Sequence, residues 1–205
     1  MENVSNIINT TFMPQFNDWI NELKKIGYNS TWKKIKACEY GGGTVRERVF
    51  MISVLESLSP FAFPKETGTN KTIIDYLNTP DEKYFIDNST LKDVTIKNYK
   101  KAIKLADYNN GGQGNRIYST LGQGVTLTAS GGGKAGSSGG LYLRDNKIYK
   151  LSPEEMCKVM GWSDDEAKII CSTASPREVG FCLGNAIDLN VMKAIMQSIV
   201  QQYNI

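Results

Sequence analysis

Apolar residues recur at helical spacing near the start of the chain. Phe16, Trp19, Ile20, Leu23 and Ile26 lie three or four positions apart, and so share one face of a helix predicted over residues 14 to 27. Pro14 suits its first turn, where a missing N–H costs nothing, and Gly27 suits its stop. Two β-type runs follow, Tyr28 to Ala37 and Val49 to Leu55, with Gly41-Gly42-Gly43 as the turn between them. Helix, strand, turn, strand is one edge of an α/β layer. It is incomplete, because two strands and one helix cannot cover both faces of a sheet.

The pattern changes at Pro60 and Pro64. Residues 56 to 104 are polar and mixed, with a short helix expected around Thr90 to Leu105. From Asp107 to Gly140 glycine, serine and asparagine dominate, in Asn109-Asn110-Gly111-Gly112-Gln113-Gly114-Asn115-Arg116 and again in Gly131-Gly132-Gly133-Lys134-Ala135-Gly136-Ser137-Ser138-Gly139-Gly140. A flexible linker has this composition. So does an ordered binding region, and the short β-type runs Ile117-Tyr118, Val125-Thr126-Leu127-Thr128 and Leu141-Tyr142-Leu143 favour it. Glycine loops between small strands let the backbone approach a phosphate chain closely. Ser152-Pro153-Glu154-Glu155 then starts a helix by serine cap, proline and returning glutamate, and Gly161 stops it after Met160. A last helix is expected to open at Gly184-Asn185-Ala186-Ile187, with Val191, Ala194, Ile195, Ser198 and Ile199 as its apolar stripe.

Composition narrows the chemistry. The chain has 205 residues, ample for one core and short for two full domains. No apolar run approaches the ~20 residues that span a bilayer. Met1-Glu2-Asn3 does not open a secretory signal, so no membrane association and a cytoplasmic location are expected. The net charge of +3 neither demands nor excludes nucleic acid. Cys38, Cys157, Cys171 and Cys182 are widely spaced and form no zinc or disulfide pattern, so no metal site is expected. Histidine is absent, which removes Ser-His and Cys-His activation of a nucleophile.

The most chemical stretch is Thr44-Val45-Arg46-Glu47-Arg48, which runs directly into Val49-Phe50-Met51-Ile52. Residues two apart in an extended segment share a side, so Arg46 and Arg48 project together from a strand anchored in the sheet. Two rigid guanidinium groups aimed at one place suit a phosphate or a base edge. Two solvated arginines on an edge strand are the plainer alternative.

In order along the chain, these pieces resemble the C-terminal part of a bacterial or phage DNA cytosine-5 methyltransferase. Glu2-Asn3-Val4 is similar to the family's Glu-Asn-Val motif, and Thr44-Val45-Arg46-Glu47-Arg48 to its Gln-x-Arg-x-Arg motif. Gly112-Gln113-Gly114-Asn115-Arg116-Ile117-Tyr118 and Thr126-Leu127-Thr128-Ala129 resemble stretches of its target-recognition region. Lys150-Leu151-Ser152-Pro153-Glu154-Glu155 with Met160-Gly161-Trp162 resembles Arg-x-Leu-Thr-Pro-x-Glu…Gln-Gly-Phe, and Gly184-Asn185-Ala186-Ile187 resembles the closing Gly-Asn-Ser/Ala-Val/Ile. Thr44, Glu154, Met160 and Cys182 depart from the family's usual residues.

The resemblance implies an α/β fold: a partial, Rossmann-like, S-adenosylmethionine-dependent methyltransferase sheet with a small, mostly β, glycine-rich recognition region. It implies a catalytic part over residues 1–57, a target-recognition region over 58–145 and return helices over 146–205. In such enzymes a cytosine is flipped from double-stranded DNA, a cysteine thiolate attacks C6, and C5 takes the methyl group. Glu2 would meet the cytosine N3 and N4 edge with Asn3 supporting the pocket, and Arg48 would meet O2 with Arg46 beside it. Gly184, Asn185 and Ala186 would border the cofactor, while Gln113, Asn115, Arg116, Gln123, Thr126, Leu127, Lys134 and Arg144 would face DNA. The family's Pro-Cys nucleophile and Phe-x-Gly-x-Gly cofactor loop are not in this sequence. The chain is therefore expected to be inactive alone and to need an N-terminal methyltransferase subunit or fragment. A non-catalytic DNA-binding remnant is the alternative.

Overall fold

A computed structural model describes residues 1–68, 71–86, 102–108, 114–129 and 138–205. Helix α1 spans Met13–Lys25, with Pro14 in its first turn and Gly27 beyond its end at φ +86°. Strands β1 (Glu2–Val4), β2 (Tyr28–Lys36) and β3 (Glu47–Leu55) form a sheet in the order β1-β3-β2, both pairs antiparallel. Side-chain alternation gives β3 two jobs. Phe50, Ile52 and Val54 pack with Val191 and Ile195 of the last helix, α5 (Leu189–Tyr203), together with Phe61 and Phe63. On α1, Phe16 meets Trp32 of β2 edge-on at 5.7 Å. β3 begins two residues before the expected Val49, because Lys36–Glu47 and Ile35–Arg48 already pair. Arg48 is thus a strand residue, and Arg46 lies in the turn that feeds the strand.

The second sheet contains β4 (Phe85–Ile86), β5 (Lys104–Asp107), β6 (Arg116–Ser119), β7 (Leu141–Arg144) and β8 (Lys147–Lys150) in the order β4-β8-β7-β6-β5. Only β6 and β7 run parallel. Two expectations are corrected here. Lys104 and Leu105 are strand residues rather than the end of a helix, and the rest of the stretch from Thr90 lies mostly outside the described residues. Val125–Thr128 is not a strand; the chain there makes a single parallel bridge, Thr44 to Gly124, before leaving the sheet. Its apolar residues are used in another way, since Leu127 is inserted in the core.

That core unites the second sheet with three helices, α2 (Pro153–Val159), α3 (Asp164–Thr173) and α4 (Pro176–Asn185). Leu127, Tyr142, Tyr149 and Leu151 pack with Met156, Cys157, Val159, Met160, Ala167, Val179 and Leu183. Each aliphatic side chain so buried contributes about 1.5–3 kcal/mol. Ser152, Ser163 and Ser175 each cap a helix reciprocally with the glutamate three residues on. The expected last helix is also corrected. Gly184 and Asn185 end α4, Ala186 is extended, and α5 opens only at Leu189. The reason is Asp188, whose Oδ1 accepts from the backbone N–H groups of Asn190 and Val191 and sets the start there. Among the described residues no single helix is long and apolar enough to cross a membrane.

Candidate functional site

Antiparallel pairing places Glu2 opposite Phe50 and Val4 opposite Arg48, so Glu2 and Arg48 are diagonal neighbours on one face. The Arg48 Nε lies 3.1 Å from Glu2 Oε1, and both side chains keep about a fifth of their surface exposed, at 19% and 24%. The Arg48 Nη1 also donates to the Glu47 carbonyl at 2.8 Å. A carboxylate and a guanidinium are thus fixed side by side at the open edge of the sheet. Together they offer acceptor and donor atoms to a planar ligand edge. Asn3 is exposed, and its Oδ1 accepts from the Val4 N–H at 2.8 Å.

Arg46 goes elsewhere. It is 3% exposed, and its Nη1 donates to the Leu127 carbonyl at 3.2 Å while Nη2 donates to the Gly184 carbonyl at 3.0 Å. The two arginines share a neighbourhood but not a target. Burial and then the repulsion of Arg48 bring the Arg46 guanidinium down to about 10, with Glu2 and Asp188 acting in the opposite sense. It stays cationic at neutral pH. Around it the backbone is tightly joined. Gly43 donates to the Val159 carbonyl, Gly124 to Gly43, and Val45 to Gly124, at 3.1, 2.9 and 2.8 Å. A Cβ on Gly184 would run into the backbone of Thr128 and Ala129. Glycine at this position is required by close approach, not by conformation.

Asp188 completes the junction. It is 3% exposed, and its Oδ2 is buried without a hydrogen-bond partner, facing the space where a Cβ on Gly42 would lie. Sequence reading missed it, because its only signal is a capping residue displaced four positions from the expected helix start.

The residues expected to face DNA separate into groups. Arg116 is exposed on β6, and Thr126 is half-buried beside the Arg46 junction. Asn115 and Gln123 are buried, at 7% and 6% exposure. Gln113 and Lys134 lie outside the described residues. Two of these side chains have partners within the protein. The Leu127 side chain is in the core. Arg144 is turned inward: its Nη2 donates to the Asn78 carbonyl at 2.6 Å, its Nη1 lies 3.6 Å from Glu155, and its guanidinium stacks 4.8 Å over the Tyr149 ring. Turning that cation out to water would leave the buried Glu155 carboxylate without its cationic neighbour. On the cofactor side, Asn185 is exposed and Ala186 half-buried at the end of α4. Neither lines the open cleft of about 910 Å³ that carries Lys83, Tyr84, Lys150, Arg177 and Phe181 on its walls.

Comparison with known proteins identifies the family of the chain. Residues 1–201 match the family model described as C-5 cytosine-specific DNA methylase. The chain is 34% identical over 215 residues to the type II methyltransferase M.HhaI of Haemophilus parahaemolyticus, covering all of this chain and 63% of that protein. It is 27% identical to the orphan methyltransferase M.SssI of Spiroplasma monobiae, covering 97% of this chain and 52% of the relative. The chain therefore spans roughly half to two thirds of the curated relatives it matches. Among solved structures, the S. pombe Dnmt2 methyltransferase superposes with a TM-score of 0.69 at 16% identity, over all of this chain and 65% of that one. A prophage-encoded putative DNA modification methyltransferase of E. coli does so at 0.56 and 19%, over all of this chain and 69% of that one. With nearly its whole length accounted for by one family model, the chain belongs to the C-5 cytosine-specific DNA methylases.

Proposed function

We propose that this chain is the target-recognising, pocket-lining part of a DNA (cytosine-5)-methyltransferase, acting with a polypeptide that carries the nucleophile and cofactor loop. The observation that carries the reading is the Glu2–Arg48 pair, held rigidly across two strands yet still reached by solvent. A flipped cytosine presents N4–H donors, the N3 nitrogen and the O2 acceptor along one edge. Glu2 takes the amino and N3 side, and Arg48 donates to O2. The pairing withdraws charge from the ring when a nucleophile adds at C6, which is why both groups belong on one side of the base. S-adenosylmethionine, when bound, supplies an electrophilic methyl group. The exposed carboxamide of Asn185 and the half-buried backbone of Ala186 are the groups that fit its polar edge. Residues 58–145 form the recognition region, in which Arg116 is exposed and Thr126 half-buried.

The partner joins at β1. Among the described residues that strand pairs with β3 on one side only, which leaves the backbone groups of its other edge to a further strand. The test mixes the purified chain with a polypeptide bearing the Pro-Cys and cofactor-loop motifs and follows labelled methyl transfer to duplex DNA. Transfer is expected only in the mixture, with Arg48→Ala abolishing it. No transfer in any such mixture, or full transfer by Arg48→Ala, overturns the reading. Duplex binding by the chain alone, falling steeply with salt and unaccompanied by transfer in any mixture, selects the non-catalytic DNA-binding alternative.

A further inference from the structure

We infer that Arg46 is a positioning residue that ties the recognition segment Thr126–Ala129 and the helix end Gly184–Ala186 into one mechanical unit hung on β3. The inference rests on the reading above only for what binds at each end of that unit. The joint itself is a matter of geometry.

Arg46 divides its two terminal nitrogens between carbonyls that lie 81 and 138 residues away in the chain, those of Leu127 and Gly184. One side chain thereby bridges two segments remote from each other in sequence. Gly184 is packed so closely on Thr128 and Ala129 that even a methyl group is excluded, so the two segments meet backbone to backbone. The planar fork of a guanidinium is what serves two divergent acceptors at once; an ammonium is a point donor. The charges of Glu2 and of Asp188, which caps α5, both favour the Arg46 cation. Movement of Thr126 on a DNA backbone would therefore be transmitted through Leu127 and Arg46 to Gly184, and so to Asn185 and Ala186. Arg48, two residues along, points to Glu2 and takes no part in the joint.

Hydrogen–deuterium exchange of the purified chain tests this directly, comparing wild type with Arg46→Lys, Arg46→Ala and Arg48→Ala. Both Arg46 variants are expected to exchange faster at 125–129 and at 183–187 together, by roughly tenfold or more, while β2, β3 and α2 stay as in wild type. Arg48→Ala is expected to leave both stretches unchanged. Acceleration of one stretch alone, or an equal rise in every element, overturns the proposal. Should Arg46→Ala not fold, Arg46→Lys decides by the same criterion. A short DNA duplex adds a second arm: in wild type it slows exchange at both stretches, and in Arg46→Lys only at 125–129. Equal slowing of both stretches in Arg46→Lys also overturns it. If the duplex slows neither stretch in wild type, the DNA-binding reading is what fails, and the DNA-free comparison still decides the joint.

Discussion

Glu155 is fully buried, yet every direction around its carboxylate is served. Tyr149 Oη donates at 2.9 and 3.0 Å, the Ser152 N–H at 2.7 Å and the Asn78 N–H at 2.8 Å, with Arg144 at 3.6 Å. Burial and then this carboxylate push the Tyr149 phenol upward, which keeps it a donor at any working pH. Removing the cation from such a set leaves a buried charge with one fewer partner. Arg144→Ala is therefore expected to lose about 3 kcal/mol of stability in urea unfolding while leaving the salt dependence of DNA binding unchanged. Asp188 has the opposite balance. Burial raises its carboxyl from 3.8 to about 6, against the hydrogen bonds of Asn190 and Val191 and the charge of Arg46. The folded chain then holds this proton more tightly than the unfolded one. The associated stability is fully present below about pH 4 and lost as pH rises through about 6. Asp188→Asn, which keeps the capping oxygen, is expected to be more stable than wild type by about 1–3 kcal/mol at pH 8, the gap closing toward pH 4. Chemical denaturation across that range checks it, and an equal gap at both ends would refute the burial account.

At the scale of elements, the strongest local signals produced the elements they announce. Pro14, Gly27 and the apolar spacing between them suffice for α1, and Ser152-Pro153-Glu154-Glu155 suffices for α2. The same chemistry was present and unread at Ser163-Asp164-Asp165-Glu166 and Ser175-Pro176-Arg177-Glu178, which start α3 and α4. Their apolar residues are sparse, so periodicity alone is weak there while capping is strong. Ser175→Ala is expected to cost about 1 kcal/mol, read as a shift in the midpoint of unfolding. Gly184→Ala tests a different contact: the added methyl meets backbone at Thr128 and Ala129, and an overpacking loss of about 1–3 kcal/mol is expected in the same measurement.

For the whole molecule, two larger clusters do most of the packing among the described residues, beside a small third one of Ile117, Leu141 and Ile148 on the second sheet. One joins β2 and β3 to α5, and the other joins the second sheet to α2, α3 and α4. Hydrogen bonds at Gly43, Val45 and Gly124 stitch the two together. The first sheet has β1 at one edge and the lysine-bearing β2 at the other. Charged side chains blunt an edge against pairing, which leaves β1 as the open side. A partner that adds a strand there binds only the folded chain. Its presence in excess is expected to raise the melting temperature of this chain in a concentration-dependent way, as differential scanning fluorimetry would register. A melting temperature indifferent to the partner would argue against that edge as the joint.

Sequence alone determined the features that depend on near neighbours: the period of α1, the cap and stop of α2, the two β-type runs that become β2 and β3, and the order of motifs that marks the family. These are legible because propensity, capping and alternation act over a few residues. Tertiary structure decided what each charged side chain does. Arg46 and Arg48 are equivalent in a strand pattern, yet one bonds carbonyls 81 and 138 residues away while the other meets Glu2. Arg144 looked like a DNA contact and is bound inside by Asn78, Glu155 and Tyr149. Contacts across such separations depend on how the two clusters dock, and no local pattern encodes where a distant carbonyl will lie.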